Sequence, residues 1–333
     1  MKLNTEAFKR RLQESSASLI LLGVIIVAMV FLDRRFFSAT NIINILRIGA
    51  ITVIAVYGQT LVLLTGQIDL SMGSMASLVS VIIGICLTWY NLPLAVSLII
   101  GLICGILLGL VNGVLVFYFN LPSFIITFGM LTSLSGLARY LTTSTPIELV
   151  GVCNFEIFGR GFIGPIPIPI IIAVAAFLIL RMIVLYTTYG RTLYAIGYNR
   201  NVARLSGRKV VSIGITTYAF AGLLTAITAI IMSSRIYCAH PDLASDLAFD
   251  AIAAAAIGGV SLQGGKGNLL QATVGALIVV ALLNGLTLLN VSTYMQMVTR
   301  GLIIIFAVML NNVRTEGFTN LTGISLRKQK VGV

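Results

Sequence analysis

The sequence predicts an all-α membrane protein with about ten transmembrane helices, and three observations carry that expectation. Hydrophobic residues fill 58% of the 333 positions and charged residues only 10%, with mean hydropathy +1.04. A soluble domain is about half apolar and a quarter charged, so the solvent for most of this chain is lipid. Ten apolar runs approach the roughly 20 residues that a helix needs to cross hydrocarbon. One basic segment, 189–211, interrupts them with Arg191, Arg200, Arg204, Arg208 and Lys209.

In chain order the runs are 17–32, 48–65, 72–89, 92–119, 123–138, 162–186, 211–234, 247–264, 269–289 and 292–311. The first follows Lys2, Lys9, Arg10 and Arg11 in the manner of a secretory signal. Its apolar length, and the Asp33-Arg34-Arg35-Phe36-Phe37 that follows in place of a small-residue cleavage site, identify it as an uncleaved helix. Several of the others are short or glycine-rich, which predicts re-entrant or broken segments among them.

Ten crossings put both termini on one side. With the N-terminus inside, fourteen Lys and Arg face the cytoplasm against six outside, namely Arg34, Arg35, Arg47, Arg139, Arg160 and Arg235. The positive-inside rule therefore predicts cytoplasmic N- and C-termini. The net charge of +12 is then mostly a cytoplasmic face, and no aromatic-and-basic patch or soluble domain supports nucleic-acid binding. Of four cysteines, Cys86 and Cys104 lie within runs, while Cys153 and Cys238 fall outside and have the freedom to meet.

No linker or low-complexity tract divides residues 1–333, so the chain reads as one domain: a membrane core at 17–311, a cytoplasmic loop at 187–211 and a cytoplasmic tail at 312–333. Within it, Ile68-Asp69-Leu70 precedes a glycine-containing run and then Leu110-Val111-Asn112-Gly113, while Phe249-Asp250-Ala251 precedes another and then Leu282-Leu283-Asn284-Gly285. If runs two to five correspond to runs seven to ten, the sets enter the membrane from opposite sides. That is an inverted repeat, which places a substrate path between the halves. The competing reading is that two glycine-rich apolar stretches look alike by composition.

Asp69, Ser71, Asn112, Asp250 and Asn284 are the translocation-path or hinge candidates. In Gly66-Gln67-Ile68-Asp69-Leu70-Ser71-Met72-Gly73-Ser74 an ionisable carboxyl stands between two runs, where its charge is costly unless it is paired or faces water. The plainer role for Asp69 and Ser71 is to cap the following helix. Asp242, Asp246 and Asp250 recur every four residues and would repel on one helix, so a loop leading into a helix that starts near Asp246 is expected. With His240 as the single histidine, no metal site is expected. Gly258-Gly259-Val260-Ser261-Leu262-Gln263-Gly264-Gly265-Lys266-Gly267 fails the phosphate-loop pattern, having Val260 where a glycine and Gly267 where a serine or threonine must stand. It reads as a glycine-rich break that lets helices pack closely. No Ser/His/Asp set, H-E-x-x-H or carboxylate pair is present, so the chain is not expected to be an enzyme or to hold a cofactor.

These residues together resemble the ribose-type sugar permeases, the membrane subunits of ATP-binding-cassette importers. The likeness runs from about residue 36 to 312. It rests on Ile68-Asp69-Leu70-Ser71 with Gly73-Ser74, on Asn112-Gly113, on Leu121-Pro122-Ser123-Phe124-Ile125, and on Gly190-Arg191 with Ala195-Ile196-Gly197-Tyr198-Asn199 and Ala203-Arg204-Leu205-Ser206-Gly207. Asp250-Ala251-Ile252-Ala253-Ala254, Gly258-Gly259 and Gly264-Gly265-Lys266-Gly267 complete it. The resemblance implies a fold similar to the vitamin B12 importer membrane domain and a bacterial inner-membrane location. It also implies a second permease copy, a cytoplasmic ATPase with two nucleotide-binding modules that carries the ATP and Mg, and an extracytoplasmic sugar-binding protein. A short coupling helix is implied at 199–207, with Asn199, Arg200, Ala203, Arg204, Leu205, Ser206 and Gly207 meeting the ATPase. Gln67 and Ala248 depart from the family's usual Gly and Glu and weaken ribose itself as the cargo.

The expected function is ATP-driven import of a monosaccharide by alternating access, along a path lined with neutral polar and aromatic groups. Arg34, Arg35, Arg47 and Arg235 are placed to receive acidic residues of the binding protein, or to anchor on lipid headgroups. The alternative is an ion-coupled secondary transporter using Asp69 and Asp250.

Overall fold

A computed structural model describes residues 5–316 except Cys153, with side chains from 18 to 309. The side chains of the N-terminal bases, the tail beyond 316 and a Cys153–Cys238 pairing lie outside the described residues. Helix α1 (Thr5–Leu32) leads through a 3-10 turn at Arg34–Phe37 into α2 (Ala39–Leu64), which is followed by α3 (Met72–Thr88), α4 (Leu94–Gly113) and α5 (Ser123–Thr142). The connection from α5 to α7 holds β1 (Ile147–Glu148), α6 (Ile157–Arg160), β2 (Phe162–Ile163) and β3 (Ile166–Pro167). Then come α7 (Ile168–Tyr186), α8 (Thr188–Tyr198), α9 (Arg200–Leu205), α10 (Val210–Ile236), β4 (Cys238–Ala239), α11 (Leu247–Gly258), α12 (Leu269–Leu288) and α13 (Thr293–Glu316). The strands form two minimal antiparallel pairs, β1 with β4 and β2 with β3.

Six helices are long and apolar enough to cross a membrane: α2, α4 with its extension to Tyr118, α5, α7, α10 and α12. Shorter apolar helices at 18–32, 72–88, 247–258 and 293–309 occupy the remaining four runs. The boundaries differ from expectation where local chemistry intervenes. Ser38 caps α2 by accepting from the Asn41 amide, so that helix starts nine residues before its apolar run. Run four ends in a π-turn at Val114–Tyr118. The first residues of run six form the β2–β3 hairpin, and the helix begins only after Pro167, with Pro169 in its first turn. Run eight does not continue to 264. Gly259 takes the left-handed conformation, φ 105°, and stops α11 at Gly258.

Helix α10 is the hub. It packs on α2, α3 and α4, and its closest approach is to α4, where Gly105 and Gly222 bring backbone against backbone. In lipid such small-residue contacts replace the hydrophobic drive that water would supply. Helix α2 packs in turn on α10, α11 and α12. Each set repeats the other internally: α3 touches α4 and α5, while α11 touches α12 and α13. Helices α2 and α10 run in opposite directions, because Arg235 at the end of α10 bonds Asn44 near the start of α2.

The two short helices of these sets begin inside the protein. Along α3, Gly84 lies against Ala239, Ser77 Oγ accepts from the Ala244 amide, and Gly73 packs on the Ala244 carbonyl. The eleven steps from Gly73 to Gly84 span about 16 Å at 1.5 Å per residue. Residues 239–245 therefore descend beside α3 as non-helical chain before α11 starts. On the opposite side, residues 66–71 climb from the end of α2 to the start of α3. Non-helical backbone at this depth is tolerated because protein surrounds it, and it was foreseen as broken segments.

Candidate functional site

Three regions hold the sequence-predicted residues, and only some of those residues meet. The first is the climbing segment 66–71. Asp69 is 1% exposed, and its Oδ1 accepts from the Ser71 amide at 2.8 Å and the Ser71 hydroxyl at 2.6 Å. Asn112 Nδ2 donates to the same hydroxyl at 2.8 Å, which leaves Asn112 Oδ1 buried without a hydrogen-bond partner. Tyr218 of α10 and Thr127 of α5 donate to the Ile68 carbonyl, and Ser123 accepts from the Ile68 amide. Asp69, Ser71 and Asn112 thus form one network pinned by three helices. The capping role expected of Ser71 is not filled by its side chain, which turns to Asp69.

Asp250 and Asn284 do not join that network. Asn284 exchanges two hydrogen bonds with Asn41, at 2.9 and 3.0 Å, fastening α12 to α2. Asp250 lies in the first turn of α11, as expected of a helix beginning after Asp246. Arg300 of α13 hydrogen-bonds Asp246, and its Nε stands 3.6 Å from Asp250, a charge contact too long for a hydrogen bond. Asp242 meets Arg139 of α5 at 2.8 Å. The four-residue spacing of the carboxylates thus distributes them between arginines on either side. Arg300 escaped the sequence reading, although a lone charge inside run ten was the signal that marks it.

The second region is the basic loop. It holds two helices, α8 and then the short α9 inside the 199–207 stretch where a short helix was implied, because extended Asn199 (φ −161°) ends α8 and its Oδ1 caps α9 by accepting from Asn201 and Val202. Gly207, at φ 73°, closes the turn. The candidates divide by exposure. Asn199, Arg204, Leu205, Ser206 and Gly207 are exposed, whereas Ala203 is buried and Arg200 is half-buried. Arg200 donates to the Phe117 carbonyl at 3.1 Å and lies 4.8 Å over the Phe117 ring, tying α9 to the π-turn. Burial, with the charge of Arg204, pulls its guanidinium below the ordinary arginine value. Tyr198, Val202 and Leu205 are 83%, 56% and 88% exposed beside Arg204, an apolar face rimmed with charge. A cavity of about 900 Å³ opens beneath, lined by Phe117, Asn120, Arg200, Arg204, Arg208 and Lys209 among others.

Gly197, in the last turn of α8, links these two regions. A Cβ there would collide with the Leu64 carbonyl that ends α2 and with the Gly265 amide. Gly265 N donates to that carbonyl at 3.1 Å, and Gly264 approaches Gly66 so closely that its Cβ would stand 2.6 Å from the Gly66 nitrogen. Three backbones therefore meet: the basic loop, the start of segment 66–71, and the glycine-rich loop after α11. Close packing, as expected for 258–267, is what those glycines provide.

The third region is the opposite end. Arg35 forks onto Asp33, at 2.7 Å to Oδ2, and donates to the Leu288 carbonyl. Hydrogen bonds from Arg35 hold the Asp33 carboxyl below the usual carboxylate range. Arg34 is exposed, while Arg47 and Arg235 are half-buried and gathered with Arg160 around a shared cavity. Among the described residues no cluster of three or more His, Cys, Asp or Glu is arranged to hold a metal ion.

The family model described as branched-chain amino acid transport system / permease component matches residues 41–308. The ribose import permease protein RbsC of Bacillus subtilis (strain 168) is 39% identical over 292 residues, 87% of this chain and 90% of that protein. The protein of the same name from Haemophilus influenzae is 37% identical over 316 residues, 94% and 98% of the two chains. The xylose transport system permease protein XylH of Escherichia coli (strain K12) is 30% identical over 357 residues, 88% and 91% of the two chains. No solved structure matches.

Proposed function

Because the chain belongs to the branched-chain amino acid transport system / permease component family, we propose that it is the membrane subunit of an ATP-driven importer for a monosaccharide, ribose or a related sugar. The names of its relatives support a sugar as the class of cargo. The carrying observation in the fold is Gly197, where the exposed basic loop meets the end of α2 and the glycine-rich loop after α11. A push on α8 and α9 from a cytoplasmic ATPase, with its ATP and Mg, reaches the ends of α2 and α11 through backbone contacts that have no side chain to yield.

In this reading ten helices cross the inner membrane with both termini in the cytoplasm, in one domain. Helices α2–α5 and α10–α13 form an inverted repeat of the kind proposed for the vitamin B12 importer membrane domain. The reciprocal packing of the two sets and their opposite entry support it. Alternating access then consists of rocking one set against the other. The start of α3, with Asp69, Ser71 and Asn112, and the start of α11, with Asp250, are the hinges, and Asn284 is a fastening between α12 and α2.

A second copy of the chain completes the path. Helix α5 presents Phe124, Phe128, Thr132 and Ser133 outward, and Gly129 and Gly136 have open space about them. Hydroxyls and glycines on an outward face suit a partner helix or a hydrated sugar path better than lipid. An extracytoplasmic binding protein delivers the sugar, with Arg34 and Arg35 on the rim. The ion-coupled alternative draws no support from the relatives' names, and Asp69 is engaged by neutral donors inside the fold.

Uptake by sealed proteoliposomes tests the proposal. Sugar entry that requires the ATPase subunit and ATP supports it; entry driven by an ion gradient without them refutes it. Within the assembly, Arg204→Glu with Arg208→Glu should weaken ATPase association and uptake together at least tenfold. Unchanged association overturns the docking role of this loop.

A further inference from the structure

We propose that Arg47, Arg160 and Arg235 form a binding site for the phosphate of an anionic phospholipid, at the end of the molecule opposite the basic loop. The three side chains and Asn44 line a cavity of about 590 Å³. They come from α2, α6 and α10, and the arginines themselves stand 75 or more positions apart in sequence. Every polar partner they have is neutral. Arg47 donates to the Arg160 carbonyl at 2.8 Å, Arg160 to the Arg235 carbonyl at 3.0 Å and to the Tyr237 hydroxyl at 3.3 Å, and Arg235 to Asn44 at 2.9 Å. Among the described residues none of the three is in an ion pair, and Arg47 Nε is buried without a hydrogen-bond partner. Three guanidiniums held together repel each other unless an anion joins them, and phosphate oxygens match their planar donor forks.

Depth and surroundings favour a lipid over a protein carboxylate. Arg47 is 17 residues before Leu64, which lies at the level of the basic loop, and at 1.5 Å per residue this is about 26 Å. The hydrocarbon core is about 30 Å thick, so the cavity lies at the boundary where lipid phosphates reside. Arg47 stacks 4.5 Å over the Phe162 ring. Exposed Ile157, Phe162, Ile163 and Ile236 surround the cationic centre with the apolar surface that acyl chains cover.

The test is the thermal stability of the detergent-purified full chain titrated with phosphatidylglycerol, phosphatidylcholine or inorganic phosphate. The expected result is saturable stabilisation by phosphatidylglycerol, at least fivefold weaker in Arg160→Gln and unchanged in Arg191→Gln, whose exposed arginine lies in the basic loop at the other end. Arg160→Lys, which retains the charge, should fall between them and serves if the glutamine variant does not fold. Equal response to phosphatidylcholine overturns the proposal, and so does unaltered phosphatidylglycerol affinity in both Arg160 variants. Stabilisation by inorganic phosphate alone at matching concentration assigns the cavity to a soluble anion and overturns the lipid assignment. Unaltered lipid affinity with lost capture of the sugar-binding protein assigns the arginines to protein docking instead.

Discussion

The starts of α3 and α11 are both buried where non-helical chain turns into helix, yet they hold their carboxyl groups in opposite ways. Asp69 is enclosed and receives only neutral donors, an amide and a hydroxyl two residues away, with Asn112 behind them. Asp246 and Asp250 face Arg300 on a separate helix and remain partly exposed. A buried network of neutral groups pinned by three helices has little reason to rearrange, because an alternative strands a buried donor. A charge pair across two helices is different: its halves separate as the helices separate, and water can take each half. In the proposed cycle the α3 start would therefore serve as the rigid pivot and the α11–α13 contact as the part that opens.

Asp69→Ala should do the most damage. It strands the Ser71 amide and the Ser71–Asn112 pair in the interior, a loss of about 3 kcal/mol at roughly 1–3 kcal/mol per unsatisfied buried group. A melting temperature of the purified protein equal to wild type would show that segment 66–71 is not a pivot. Arg300→Met comes next. It leaves two carboxylates without their cation, but their partial exposure reduces the cost to about 2 kcal/mol, below the 3–5 kcal/mol of a fully buried pair. The double variant with Asp250→Asn should recover part of that stability, and strict additivity of the two changes would mean that the contact carries no coupling.

Gly197→Ala sharpens the comparison from the basic-loop end. The added methyl must part α8 from Leu64 and Gly265, at about 1–2 kcal/mol for overpacking. If the junction transmits the stroke as proposed, sugar uptake should fall at least tenfold while ATP hydrolysis by the assembled complex falls less. Equal losses in both would remove Gly197 from the transmission path. Arg139→Ala should matter least. Its pair with Asp242 is 53% and 39% exposed, and such pairs contribute about 0.5 kcal/mol, readable as a melting shift that shrinks in high salt.

Much of this was legible in the chain. Hydropathy located all ten apolar helical segments, and proline, serine and glycine at 167, 38 and 259 account for most boundary differences. Broken segments were foreseen from short runs with glycine, and the helix start after Asp246 from carboxylate spacing. The division of the basic loop into two helices was signalled by Asn199, a strong cap placed mid-loop. Arg160 was counted as a base but not recognised as a site residue, and Arg300 was not singled out at all, because their partners are distant in sequence. Nothing near Arg300 announces Asp246, 54 positions earlier, and nothing near Arg160 announces Arg47.

By itself the sequence determined the solvent of this protein, the number and order of its apolar segments and the segregation of its charge. Each of these is a sum over neighbouring residues, and transfer into lipid is decided segment by segment. Only the tertiary structure decided which carboxylate is enclosed and which faces an arginine, that three arginines converge on one cavity, and that Gly197 meets the ends of two other segments. Those outcomes depend on how closely helix backbones approach and in what register, and close approach is set by the small residues on both partners at once.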